Sequence, residues 1–216
     1  MIPFTFWDVF RNLLLSIPWT LLLSAEAFLG GAVVGVLLLV LRLARPRAFG
    51  LPIAAYVQVF QGTPLLMQLF LVYFGLALVG VETTPMTAAS ICVVLYASAY
   101  FTETWRGCVE SVPRGQWEAS ASLALTFTEQ LRHVIFPQAI RLSIPPTIGL
   151  MVQIIKNTSL ASVVGFVELT RSGQMIANVT FQPFLVYGLV AFFYFALCFP
   201  CSLFGAWMER RLRVRH

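Results

Sequence analysis

Residues 21–41 read LLLSAEAFLGGAVVGVLLLVL, an apolar run with one charge, Glu26. A helix needs about 20 such residues to cross the hydrocarbon of a bilayer. Four more runs follow, within Leu51–Val79 and over about Met86–Thr102, Ile144–Val164 and Pro183–Trp207. In lipid every backbone N–H and C=O must find its partner inside the segment, so five such runs predict five crossing helices. The residues between them are too few for a separate soluble domain, so 1–216 reads as one all-α integral membrane unit. Composition agrees: 59% of residues are hydrophobic and 11% charged, against about 25% charged in a soluble domain. Ahead of the first run, Leu13–Trp19 reads as an interfacial lead-in broken at Pro18. Arg11, the following apolar stretch and Ala25-Glu26-Ala27 imitate a signal peptide, but the apolar stretch runs well past any such core, which favours a retained first span.

The bases set an orientation. Arg42, Arg45 and Arg47 follow the first span. Arg106, Arg114, Arg132 and Arg141 lie between the third and fourth. Arg210, Arg211, Arg213 and Arg215 follow the fifth. With five spans these positions fall on one side, which holds eleven of the 14 Lys and Arg residues. The positive-inside rule then puts the N-terminus outside (periplasmic) and the C-terminus in the cytoplasm. The net charge of +5 is accounted for by this topology, without a nucleic-acid partner.

The longest polar stretch, about 105–140, is therefore cytoplasmic. Pro113 suits a first helical turn, and RGQWEASASLAL is rich in helix formers. Thr126 and Glu129 have capping-box spacing. Leu131, Val134 and Ile135 then recur at helical spacing. The loop reads as two short helices, too charged to cross. One reading is a surface hairpin that only links two spans. Trp117 and Phe127 beside small residues favour the other, a surface that docks into a cleft, and about 35 residues is longer than a mere link requires.

Polar groups inside spans point to function. Gly62-Thr63-Pro64 interrupts the second run, and Pro64 frees a carbonyl one turn earlier. A helix broken at membrane depth lines a cavity, which makes Gln61, Thr63 and Gln68 candidates for a substrate path; the plain alternative is a helix start after a cytoplasmic segment. In the fourth span Gln153 and Asn157 share a face, with Lys156 and Ser159 beside them. They can hydrogen-bond a polar solute, or Lys156 can simply snorkel outward. Glu103 sits three residues before Arg106 and reads as a local ion pair. Glu26 has no near partner in sequence: it faces a partner subunit, the outer interface or a cationic substrate.

No phosphate loop, His-based zinc motif or nucleophile elbow is present, and the two histidines are His133 and His216. The CFPC run at 198–201 lies among apolar residues without a charge to stabilise a thiolate. No catalytic residue and no metal site is expected, and the chain is read as a non-enzyme.

The stretch GQWEASASLALTFTEQLRHVIFPQAIRLSIPP resembles the EAA loop of ABC importer permeases, with Glu118-Ala119 at its start and Ile135-Phe136-Pro137 at its end. QGTPLLMQLFLVYFGL (61–76), AYFTETWRG (99–107) and KNTSLASVVGFVEL (156–169) are similar to span motifs of the polar amino acid branch of that family, in the same order. The resemblance implies a type I importer-like permease in the bacterial inner membrane. It also implies a second permease subunit (identical or different), two copies of a cytoplasmic ATP-binding subunit that carries ATP and Mg, and a periplasmic binding protein delivering the amino acid. No cofactor is implied for this chain. The loop supplies a coupling helix, for which Gln116, Trp117, Glu118, Ala119, Ala124 and Thr126 are the candidates, Glu118 meeting a basic or hydrogen-bond-donating group of the ATPase. Two positions depart from the pattern. Ala124 stands where the family has a loop glycine, so either the turn is not left-handed or the loop is strained by roughly 1 kcal/mol. Gln61 stands where an arginine is usual. A secondary transporter, or a membrane-embedded assembly subunit whose loop binds another partner, is the rival reading.

Overall fold

The computed structural model describes residues 5–212, so Arg213, Arg215 and His216 lie outside the described residues. Every regular element is a helix: α1 (Phe6–Ala44), α2 (Pro46–Gly62), α3 (Leu65–Leu78), α4 (Pro85–Glu110), α5 (Arg114–Ser122), α6 (Phe127–Glu129), a π-helical stretch Gln130–Ile135, α7 (Phe136–Asn157), a 3-10 turn Thr158–Val164, α8 (Leu169–Thr180) and α9 (Pro183–Leu212). Four helical stretches are long and apolar enough to cross a membrane, and α2 with α3, bent by 103° at their break, makes a fifth where the pair is counted as one span. The five expected crossings are in keeping with this count when the bent pair is taken as one span.

Pro18 does not break the first span. α1 runs through it for 39 residues, about 58 Å of helix. An interior proline costs about 3 kcal/mol for its missing donor and ring clash, but Leu13 and Thr20 on either side are fully buried and packing holds the helix together. The remaining overruns have similar causes. α4 continues eight residues past Thr102, to Glu110, because its charged last turns pair with one another. The second loop helix does not stop before the fourth span; the backbone stays helical from Phe127 to Val164. Pro113 sits just outside α5, at its N-cap. The helix α8 between the fourth and fifth spans was not expected.

α1 and α4 share the most extensive helix–helix contact. A Cβ on Gly31 would stand 2.6 Å from the Ala97 Cβ, and one on Gly35 would stand 2.9 Å from the Phe101 Cβ. Small residues spaced by four let two backbones approach in this way. The main apolar cluster gathers Leu23 and Ala27 of α1, Leu65 and Leu69 of α3, Cys92, Val93, Tyr96 and Phe101 of α4, and Ile154 of α7. A second joins Val9 and Leu13 of α1 to α8 and to Val186, Val190 and Phe193 of α9. A third, beneath the loop, packs Val109, Val112, Leu131, Ile135 and Ala139 with Leu43 and Trp117. α7 carries Pro145 and Pro146 in its interior, beside an open groove of about 700 Å³ against α9 that also takes in Arg141, Gly205 and Glu209.

Candidate functional site

The loop is a built object. α5 ends in a left-handed residue, Ala124, with φ of 57°. The Ala124 amide donates to the Ala121 carbonyl at 2.9 Å and the Leu125 amide to the Ser120 carbonyl at 3.4 Å. These two bonds make a Schellman turn with alanine where glycine is usual. Of the two alternatives for Ala124, the left-handed, strained one therefore holds. The expected capping box forms at the next helix: the Glu129 carboxylate accepts from the Thr126 amide at 2.8 Å and from its hydroxyl at 2.7 Å. Thr126 thereby holds the Glu129 carboxyl below its ordinary range, its hydroxyl contributing most.

Trp117 points inward as well as out. It is half-buried on the third cluster, and its ring stacks on Phe127 at 6.2 Å. Gln116 accepts from Gln138 of α7 at 3.2 Å. Glu118 and Ala119 are exposed, and Leu123 is 75% exposed. The loop thus presents an acid, small residues and one bare apolar side chain, on a base bolted to the ends of α1, α4 and α7.

The same end of the bundle carries a chain of charges. Glu103 pairs with Arg106, as the spacing predicted, at 2.5 Å, and also with Arg42 of α1 at 3.2 Å. Arg106 reaches on to Glu110. Trp105 donates to Thr147 of α7 at 2.9 Å.

The helix break lies between Gly62 and Leu65, where the sequence placed it. The carbonyl that Pro64 leaves without a helical donor belongs to Phe60. The Gln68 side chain takes it, with Nε2 at 2.9 Å, and also meets the Thr63 carbonyl at 3.1 Å and hydroxyl at 2.8 Å. Gln68 is buried, so it stabilises the bend, while Gln61 and Thr63 are exposed beside it. In the fourth span Gln153 donates to the Tyr96 hydroxyl at 2.9 Å. Lys156 is exposed, Asn157 is half-buried, and the Ser159 hydroxyl turns back to the Lys156 carbonyl. Glu26 stands apart from all of these. It accepts from Ser90 of α4 at 2.5 Å and lines its own open groove with Met86, Thr87, Ile91 and Val94.

A buried acid joins α8 to the last span. Glu168 is fully buried and caps α8, accepting from the Thr170 and Arg171 amides at 2.9 Å each and from the Tyr194 hydroxyl at 2.8 Å. Glutamate is not among the preferred N-cap residues, and Tyr194 comes from the next span. The amphipathic run from Leu169 was the available signal.

Residues 31–214 match the model of the family described as binding-protein-dependent transport system inner membrane component. The chain is 33% identical over 204 residues to the probable amino-acid ABC transporter permease protein YckA of Bacillus subtilis, covering 94% of this chain and 90% of that one. It is 35% identical over 209 residues to the L-cystine transport system permease protein TcyB of the same organism, covering 96% and 88%. With the glutamine transport system permease protein GlnP of Escherichia coli it shares 33% over 215 residues, 96% of each chain. Among solved structures, an amino acid ABC transporter with histidines superposes with a TM-score of 0.89 at 32% identity, covering 93% of this chain and 94% of that one. The inward-facing MetNI methionine ABC transporter matches in fold, with a TM-score of 0.72 at 20% identity over 95% and 96% of the two chains. With bent span, loop and charge cluster placed as above, the chain belongs to the binding-protein-dependent transport system inner membrane components and is the permease component of an amino-acid ABC importer.

Proposed function

We propose that this permease carries polar amino acids inward across the bacterial inner membrane and is driven through α5 by a separate cytoplasmic ATPase, two copies of which serve a pair of permease subunits. ATP with its Mg belongs to that ATPase, and a periplasmic binding protein delivers the substrate. The N-terminus is outside and the loop and C-terminus are cytoplasmic, as the arginine distribution argues. The observation that carries the reading is the build of the loop. α5 offers Glu118, Ala119 and Leu123 to solvent while Trp117, the Schellman turn and the Thr126–Glu129 cap fix it to the span ends. A flexible link would dissipate a push on α5; this one passes it to α4 on one side and, through unbroken helix, to α7 on the other. Gln61, Thr63, Lys156 and Asn157 are the polar groups open to a passing substrate. Gln68 supports Thr63 from behind, Gln153 is tied to Tyr96, and the role of Glu26 lies outside this group.

The test is Glu118→Arg. The side chain is exposed, and surface substitutions away from caps and cores change stability by within about 0.5 kcal/mol. Expression, insertion and thermal stability are expected to stay as in the parent. Co-purification with the ATPase and substrate-stimulated hydrolysis are expected to fall together. A variant that keeps both removes the coupling role from this face.

A further inference from the structure

α1 touches both ends of the molecule. At the loop end, Arg42 holds Glu103 and Leu43 packs in the cluster under α5. At the other end, the Thr20 hydroxyl accepts the Leu169 amide at 3.2 Å, and Val9 and Leu13 pack on Leu169, Ile176 and Ala177 of α8. Thr20 is fully buried. Between Thr20 and Arg42 lies about 33 Å of helix, with no proline in it. Over that length Gly31 and Gly35 set the backbone so close to Ala97 and Phe101 that a Cβ would collide, so α1 packs backbone to backbone on α4.

From these contacts we infer that α1 is a strut: it passes displacement of the coupling loop to α8 on the opposite side of the membrane, with Arg42 and Thr20 as the positioning residues at its two ends. The reading rests on the function proposed above. Arg42 shares Glu103 with Arg106, one turn and a short link from α5, so movement of the loop reaches the end of α1 through charge-assisted bonds that are shorter and stronger than neutral ones. At the far end the strut bears on the first amide of α8. That helix is oriented by Glu168 and Tyr194, and its outward side shows Met175 and Val179. On the topology proposed above α8 lies on the face from which the binding protein delivers substrate, and a rigid α1 lets an event on one face be felt on the other.

The experiment uses the assembled transporter in nanodiscs with its ATPase and liganded binding protein. Arg42→Ala and Thr20→Val are made singly and together, with Arg42→Lys as the conservative control. The readout is hydrolysis stimulated by the liganded binding protein, divided by basal hydrolysis. Each single variant is expected to lower that ratio by about fivefold, the lower end of typical coupling between sites. Basal hydrolysis and co-purification are expected to be unchanged, and Arg42→Lys to restore most of the ratio. Distant sites acting independently are additive; two ends of one strut are not, so the double variant is expected to match the worse single variant. An unchanged ratio overturns the inference, as does an additive double variant or a loss of ratio that only follows a loss of basal hydrolysis. Glu118→Arg detaches the ATPase if the coupling reading holds, whereas the strut variants leave it bound, so the two readings fail separately.

Discussion

Ala124 permits a direct test of how the loop is built. An L-residue other than glycine, asparagine or aspartate pays about 1–2 kcal/mol in the left-handed region. Glycine removes that strain but loses more backbone freedom on folding, by about 0.5–1 kcal/mol relative to alanine. The residue is exposed, so no packing is lost, and Ala124→Gly is expected to tighten the turn by roughly 0.5–1 kcal/mol, the size seen when glycine and alanine are matched to their backbone conformation. That is about a two- to fivefold shift in the local opening equilibrium of the turn. Amide exchange read by mass spectrometry on peptides spanning 114–130 of the purified transporter measures it, after correction for the intrinsic rates of the two sequences. The amides of Leu123, Ala124 and Leu125, which close the end of α5, should exchange more slowly in the glycine variant. Ala124→Val, with a β-branched side chain in the same conformation, should exchange faster than the parent. Equal or faster exchange in Ala124→Gly would refute the claim that the turn holds strain.

Two further outcomes follow from the packing and the helix break. Gly31→Leu places side-chain atoms where even a Cβ meets Ala97 at 2.6 Å; overpacking of this kind costs about 1–3 kcal/mol or more, and the thermal midpoint in detergent should drop, with Ala97→Gly restoring part of it. Gln68→Leu strips the part-buried Phe60 carbonyl of its donor, an unmet acceptor costing about 1–3 kcal/mol; Pro64→Ala lets the break straighten and a helical N–H reach the same carbonyl, so in a double-mutant cycle on thermal stability the pair should be less damaging than the sum of its parts.

Much of this molecule is written locally, and those parts were legible. The span count depends on run length and composition, the bend on Gly62-Thr63-Pro64, the Thr126–Glu129 cap and the Glu103–Arg106 pair on spacing within a turn. Each is settled by residues a few positions apart. What escaped is settled across the fold. Pro18 looks like a breaker until Leu13 and Thr20 are seen to be buried on either side of it. Glu26 looked unpartnered because its partner, Ser90, is a span away in sequence. Gln68 read as a lining group because sequence spacing does not tell which way its amide turns. Glu168 was passed over because its burial depends on Tyr194 of the next span. Trp117 was read as a contact for a partner, and it also anchors the loop to its own chain, a dual use that a single aromatic residue does not announce.

The paired prolines of α7 bear on where water stands in the bilayer. Pro145 and Pro146 bring no N–H to the carbonyls one turn earlier, which belong to Arg141 and Leu142. Both of those residues border the groove between α7 and α9. Two backbone acceptors without helical donors are tolerated at membrane depth only where protein or water meets them. The groove therefore gives these two carbonyls an open side, at the start of the fourth span, from which a donor outside their own helix can reach them.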